Sequence, residues 1–83
     1  MLIYTFNHML IIQSSRVITK AKVKIFRNKK VVWEGLMINT NFFSHFTDLS
    51  PGHYTVAVYE NHKKTAERSV FFGHNRRSLN KSL

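Results

Sequence analysis

From Val17 to Ile25 the chain alternates residue by residue, with Val17, Thr19, Ala21, Val23 and Ile25 on one side and Ile18, Lys20, Lys22 and Lys24 on the other. A period of two is the signature of a strand with one buried face. The side carrying Ala21, Val23 and Ile25 is assigned to the core, and three lysines are assigned to solvent. Asn28, Lys29 and Lys30 then form a polar tip, and the apolar run Val31-Val32-Trp33-Glu34-Gly35-Leu36 returns from it. A two-residue turn sets Lys24 opposite Trp33 and core-facing Val23 opposite Glu34. A three-residue tip sets Ile25 opposite Trp33 and Lys24 opposite Glu34. The second register is preferred, because a slip of one residue sends every side chain to the wrong face.

A stretch from Asn39 to Phe46 follows, and then His53-Tyr54-Thr55-Val56-Ala57-Val58-Tyr59, whose alternation marks Tyr54, Val56 and Val58 as inward positions. Between them, Ser50-Pro51-Gly52-His53 predicts a tight type II turn: Pro51 presets φ near −65°, and Gly52 accepts the positive φ of the third position. Glu60-Asn61-His62-Lys63-Lys64 reads as another hairpin tip leading into Ala66–Phe72, and Gly73 ends the pattern. At the amino end, Leu2, Tyr4, Phe6, Leu10 and Ile12 suit a strand or strand pair, while Leu2, Phe6, Met9 and Gln13 suit a short helix. The β-rich neighbours favour the strand. The predicted fold is all-β, a small antiparallel sandwich of about six to seven strands. It occupies residues 1–73 as a single domain, followed by a basic tail at 74–83, with no internal repeat or interior linker.

The 83 residues contain no cysteine, so neither disulfides nor thiolate metal sites support so small a core. Seven Phe, three Tyr and Trp33 supply large buried areas in their place. Thirteen Lys and Arg stand against only Glu34, Asp48, Glu60 and Glu67, for a net charge of +9. That exceeds the magnitude of roughly 2–8 that serves solubility, and it makes polyanions natural partners: nucleic acid, anionic membrane or acidic protein. The acid-free stretch before Glu34 also has the composition of an organelle presequence, which is the lesser reading. Met1–Ile12 lacks the basic start of a secretory signal, and no segment approaches the roughly 20 apolar residues of a membrane span. Freedom from cysteine is compatible with a cytoplasmic or virion setting.

Within Phe46-Thr47-Asp48-Leu49-Ser50-Pro51-Gly52-His53-Tyr54-Thr55-Val56-Ala57-Val58 the chain resembles the carboxypeptidase regulatory-like and collagen-adhesin B-type modules of transthyretin-like, Ig-like architecture. These share an aromatic followed by Leu-x-Pro-Gly-x-Tyr-x-Val-x-Val. Ala21–Phe26 looks like the opening strand of such a module, and Thr40 sits where the family often has a Thr. Asn41-Phe42-Phe43-Ser44 departs from the Gly and second aromatic usual before the Leu. The resemblance implies a non-catalytic spacer, adhesion or assembly module in which Pro51 and Gly52 form a structural turn.

Ser44, His45, Asp48 and His53 include the residue types of a nucleophile relay, but no glycine-flanked nucleophile elbow accompanies them. His8, His45, His53, His62 and His74 show none of the paired spacings of a zinc site. No catalytic, metal or cofactor site is therefore assigned. The expected function is a non-enzymatic structural or interaction module, a subunit of a larger assembly such as a virion or cell-surface apparatus. Other protein subunits are the expected partners, and homo-oligomerisation stays open. The alternative is a nucleic-acid binder contacting phosphates, without base readout, through Lys20, Lys22, Lys24, Lys29, Lys30, Arg76, Arg77 and Lys81. Stacking would require exposed aromatics on the same face, for which Phe26, Phe42 or Phe43, and Tyr59 are candidates. The plainer account of the lysine face is a solvated surface that guards a sheet edge.

Overall fold

The computed structural model describes residues 1–73, and the predicted basic tail, with Arg76, Arg77 and Lys81, lies outside the described residues. The fold is all-β: β1 (Leu2–Phe6), β2 (Met9–Arg27), β3 (Lys30–Phe46), β4 (Gly52–Glu60) and β5 (Lys63–Phe72) form one antiparallel, curled sheet. The amino-terminal stretch is a strand pair, as its β-rich neighbours suggest, with Leu2↔Gln13 to Phe6↔Met9 in register. Five strands replace the expected six or seven because two runs that read as separate strands are continuous. β2 and β3 each pass through a bend without ending.

β2 is the spine of the sheet. β3 pairs along it at both ends, while β1 takes Met9–Gln13 and β4 takes Lys22–Phe26 on its other edge. The β2–β3 ladder breaks between Gln13↔Phe42 and Ile18↔Thr40, where Ser14–Val17 oppose only Asn41. Extra unpaired residues bend a strand and increase its twist. On β3, Thr40 secures the bend: its hydroxyl donates to the Phe42 carbonyl at 2.8 Å and accepts from the Phe42 amide at 3.1 Å.

The predicted faces fail at this corner. Ile18 is buried while Val17 and Thr19 are exposed, the reverse of the predicted faces. Opposite Thr19, Asn39 takes a left-handed φ of 49° and the ladder skips that pair, so the alternation changes phase before Ala21. From Ala21 to Ile25 the predicted faces hold, and so do buried Tyr54, Val56 and Val58 on β4.

The preferred hairpin register is present, with Ile25↔Trp33 and Lys24↔Glu34, but it arises by a different route. Asn28 (φ 53°) and Lys29 (φ 67°) form a two-residue turn that closes on Arg27↔Lys30. Two left-handed central residues make a type I′ turn, which matches strand twist and accepts Asn readily. A one-residue bulge at Val32 then restores the register. The β4–β5 hairpin repeats this arrangement: Asn61 (φ 51°) and His62 (φ 65°) close on Glu60↔Lys63, and Thr65 is the extra residue.

The predicted tight turn at Ser50–His53 is not a hairpin. β3 and β4 lie on opposite edges of β2, so residues 47–51 cross between them, and Gly52 has φ 149°, wider than the roughly +80° of a type II turn. The crossover is held by Tyr54, whose hydroxyl donates to the Ser50 carbonyl at 2.6 Å and accepts from Arg27 at 2.9 Å.

The curl closes over a core in which Ile3, Leu10 and Ile12 meet Val23, Ile25, Val56, Val58 and Phe72. The end of β5 reaches β1 through Thr5 Oγ1 to the Phe71 carbonyl (2.5 Å) and the Gly73 amide to the Asn7 carbonyl (2.9 Å). Trp33 stacks on His45 with ring centroids 3.9 Å apart and lies across Gly35, where an added Cβ would fall 2.2 Å from the indole. Gly35→Ala is therefore expected to cost about 1–3 kcal/mol, the usual range for overpacking. Urea unfolding followed by the emission of Trp33, the single tryptophan, measures this; an unchanged midpoint would mean the indole is not seated on Gly35.

Burial holds the His45 pKa below its ordinary value, with Asp48 acting weakly in the other direction. In the unfolded chain His45 takes up a proton near pH 6.5, while in the folded chain it resists until lower pH. Stability is thus full above about pH 6.5 and falls as pH drops through the window between the two values, below which this loss ends. Melting temperatures compared across that window should decline for the wild type and decline less for His45→Phe, which keeps the stack and removes the titrating group.

Candidate polyanion-binding groove

Strand alternation sends Lys20, Lys22 and Lys24 to the outer face of β2, with successive lysines about 7 Å apart along the strand. Neighbouring strands build the walls. Lys22 lies between Leu36 of β3 and Tyr59 of β4 in the two ladders, and the exposed Asn61-His62 turn closes one end. The result is an open groove of about 430 Å³ lined by Lys20, Lys22, Lys24, Leu36, Tyr59, Asn61 and His62. Past Tyr59 a second hollow of about 310 Å³ continues, bordered by Phe26, Asn28, Lys29, Thr55, Lys64 and Glu67.

Within the groove, the Lys24 ammonium sits 5.0 Å from the centroid of the Tyr59 ring. Such a contact contributes about 0.5–1 kcal/mol at an exposed site, and it places a cation on an aromatic face in the free protein. Lys22 Nζ lies 3.8 Å from Glu34 Oε1, with both side chains about half exposed, a geometry worth about 0–1 kcal/mol. Adjacent lysine charges repel by roughly 0.6 kcal/mol in water, before salt screening. A bound anion would relieve that repulsion.

The few carboxylates are largely committed. Arg16 Nη2 donates to both oxygens of Glu60 at 2.9 Å, and these hydrogen bonds hold the Glu60 pKa below its ordinary value. Glu67 is hydrogen-bonded to Lys64 and raises that lysine's pKa. Among the described residues, Lys20, Lys29 and Lys30 make no ion pair with a carboxylate.

The fold therefore brings Lys20, Lys22 and Lys24 together and sets Lys29 in the adjoining hollow. Lys30 pairs with Arg27 in the ladder, on the opposite face, and lines neither hollow. Of the stacking candidates, Tyr59 and Phe26 lie on the lysine face, and Phe43 packs against Trp33 at 6.2 Å. Phe42 is exposed on the other arm of β3. Asn61, His62, Leu36 and Lys64 escaped the sequence reading because they reach the site only through non-local pairing. The alternation of β4 did carry one signal, since inward Tyr54, Val56 and Val58 imply an outward Tyr59.

The remaining polar candidates are occupied in packing. His45 stacks on Trp33, and His53 meets Phe71 edge-on at 5.1 Å. Among the described residues, no group of three or more His, Asp or Glu is placed to hold a metal ion, and no helix is long and apolar enough to cross a membrane. In comparisons with known proteins, no family model matches this chain, and no curated protein or solved structure matches it either.

Proposed function

We propose that this chain is a non-enzymatic interaction module that engages polyanions through the lysine groove, contacting nucleic-acid phosphates without reading bases. The observation that carries this reading is the alignment of Lys20, Lys22 and Lys24 in one groove with Tyr59, extended by Lys29. Lysines two residues apart along a strand present a regular row of point charges, which suits a repeating anion better than a single compact one. No acidic side chain lines the larger groove, although Glu34 reaches Lys22 from beside it.

Four phosphate contacts, one for each of these lysines, give an expected log–log salt slope of about −3 for single strands. Fluorescence anisotropy with mixed-sequence and homopolymer oligonucleotides measures it. Affinity should be insensitive to base sequence, and replacing Lys20, Lys22 and Lys24 together by Gln should flatten the slope by about two. A flat response in the wild type would remove the proposal.

A second reading, as a structural subunit of a larger assembly built on a transthyretin-like or Ig-like sandwich, is favoured by a separate observation. Tyr54 of Leu49-Ser50-Pro51-Gly52-His53-Tyr54 hydrogen-bonds back to the Ser50 carbonyl at 2.6 Å, comparable to the tyrosine corner of Ig-like sandwiches. On this reading Tyr54 serves the scaffold alone. Tyr54→Phe should lose about 1–3 kcal/mol of stability while leaving oligonucleotide affinity unchanged, as chemical denaturation and anisotropy on the same variant would report.

A further inference from the structure

The arm of the sheet beyond the corner, where β1, the start of β2 and the end of β3 lie side by side, has an outer face made of three cross-strand rows. They are Leu2–Gln13–Phe42, Tyr4–Ile11–Ser44 and Phe6–Met9–Phe46. No charged residue occurs in any row, although the chain carries a net charge of +9. Phe6 is 70% exposed, Phe46 68%, Leu2 59%, Phe42 48% and Tyr4 40%. A half-exposed antiparallel sheet ordinarily alternates apolar-in and polar-out. Here the inward side of the same strands already supplies Ile3, Leu10 and Ile12 to the core, so the arm is apolar on both faces.

We infer that this face is the interface of a homodimer, in which the β1–β2–β3 arms of two copies stack face to face about a two-fold axis. The area is sufficient. Aromatic side chains carry about 150–250 Å² each, so the face offers on the order of 600 Å² of apolar surface per copy. Two copies would bury about 1,200 Å², where stable specific interfaces begin. The charge pattern selects the occupant. A face with no charge matches a surface that also has none, and a second copy supplies one in an isologous contact. Residues 74–83 of the same chain match it poorly, because they bring Arg76, Arg77 and Lys81 and only two large apolar side chains, Leu79 and Leu83. Shape agrees with a two-fold. One flank, Phe6–Met9–Phe46, is bulkier than the other, Leu2–Gln13–Phe42, so an axis across the strands sets each bulky row against a lighter one. The lysine groove lies on the other arm, and stacking leaves it open.

Light scattering and sedimentation of the full chain across the micromolar range test this inference. The expected result is a particle of twice the chain mass whose dissociation weakens as salt rises, because screening reduces repulsion between two basic copies. That trend is opposite to the salt response of polyanion binding. Phe6→Lys combined with Phe46→Lys should weaken dimerisation by at least about 100-fold, since each loss counts twice across the two-fold. Leu2→Asn with Phe42→Asn is the second variant should the first fail to fold, and Lys22→Gln should dimerise as the wild type does. A wild type that stays monomeric throughout overturns the inference. So does a dimer indifferent to both face variants, which would implicate the open edge of β3, or a monomer that binds zwitterionic vesicles through Phe6 and Phe46.

Discussion

The bend of β2 at Ser14–Val17 is the constraint on which the rest of the molecule depends. A 19-residue strand that stayed straight would spread its neighbours into an open sheet with one solvated apolar face. Because the β2–β3 ladder loses register there, the two arms fold towards each other, and Ile3, Leu10 and Ile12 find partners in Val23, Ile25, Val56 and Phe72. The bend also explains why β1 and β4 can share one edge of β2. Each pairs with a different arm, and the gap left between them is the corner itself. Arg16, inside that gap, reaches Glu60 at the end of β4 and ties the corner to the second arm.

Two outer faces of opposite character follow from this geometry. Beyond the corner towards Arg27, outward positions on β2 are Lys20, Lys22 and Lys24. Before it they are Met9, Ile11 and Gln13, flanked by Leu2, Phe6, Phe42 and Phe46. Charge and apolar surface are thus segregated along a single strand. On a chain of net charge +9 the segregation has a physical use, since apolar association would otherwise be opposed by lysines within the contact. With the screening length near 10 Å at moderate salt, lysines on the far arm repel a second copy only weakly.

Local patterning carried much of the fold into the sequence. The alternation of Ala21–Ile25 and Tyr54–Val58 set the correct faces, and the requirement that Glu34 point outward selected the correct pairing of Trp33 with Ile25. What escaped was decided by non-local forces. Nothing in Ser14-Ser15-Arg16-Val17 distinguishes a bend from a strand end until β3 is laid beside it, and the left-handed φ of Asn39 has a consequence only once β2 runs alongside and the ladder skips Thr19. The Pro51-Gly52 signal predicts a tight type II turn because local chemistry specifies a chain reversal without specifying the strands that it joins. For the groove, the three lysines were legible from alternation alone. Leu36, Asn61 and His62 were not, because they arrive from other strands.

The outer edge of β3 bears on which surface mediates association. β3 has 17 residues and pairs only with β2, so its other edge carries no strand among the described residues, and Val31 and Val32 are exposed there. A long open edge invites pairing with another chain unless it is interrupted. β3 is interrupted twice, by the bulge at Val32 and by left-handed Asn39, and it opens with Lys30. These features break the edge into short stretches that a straight partner strand cannot follow in register. The Leu2–Phe46 face has no comparable device: its rows are regular, with no bulge or charge among them. An open edge that is interrupted, beside an apolar face that is not, favours the face over the edge as the surface for association.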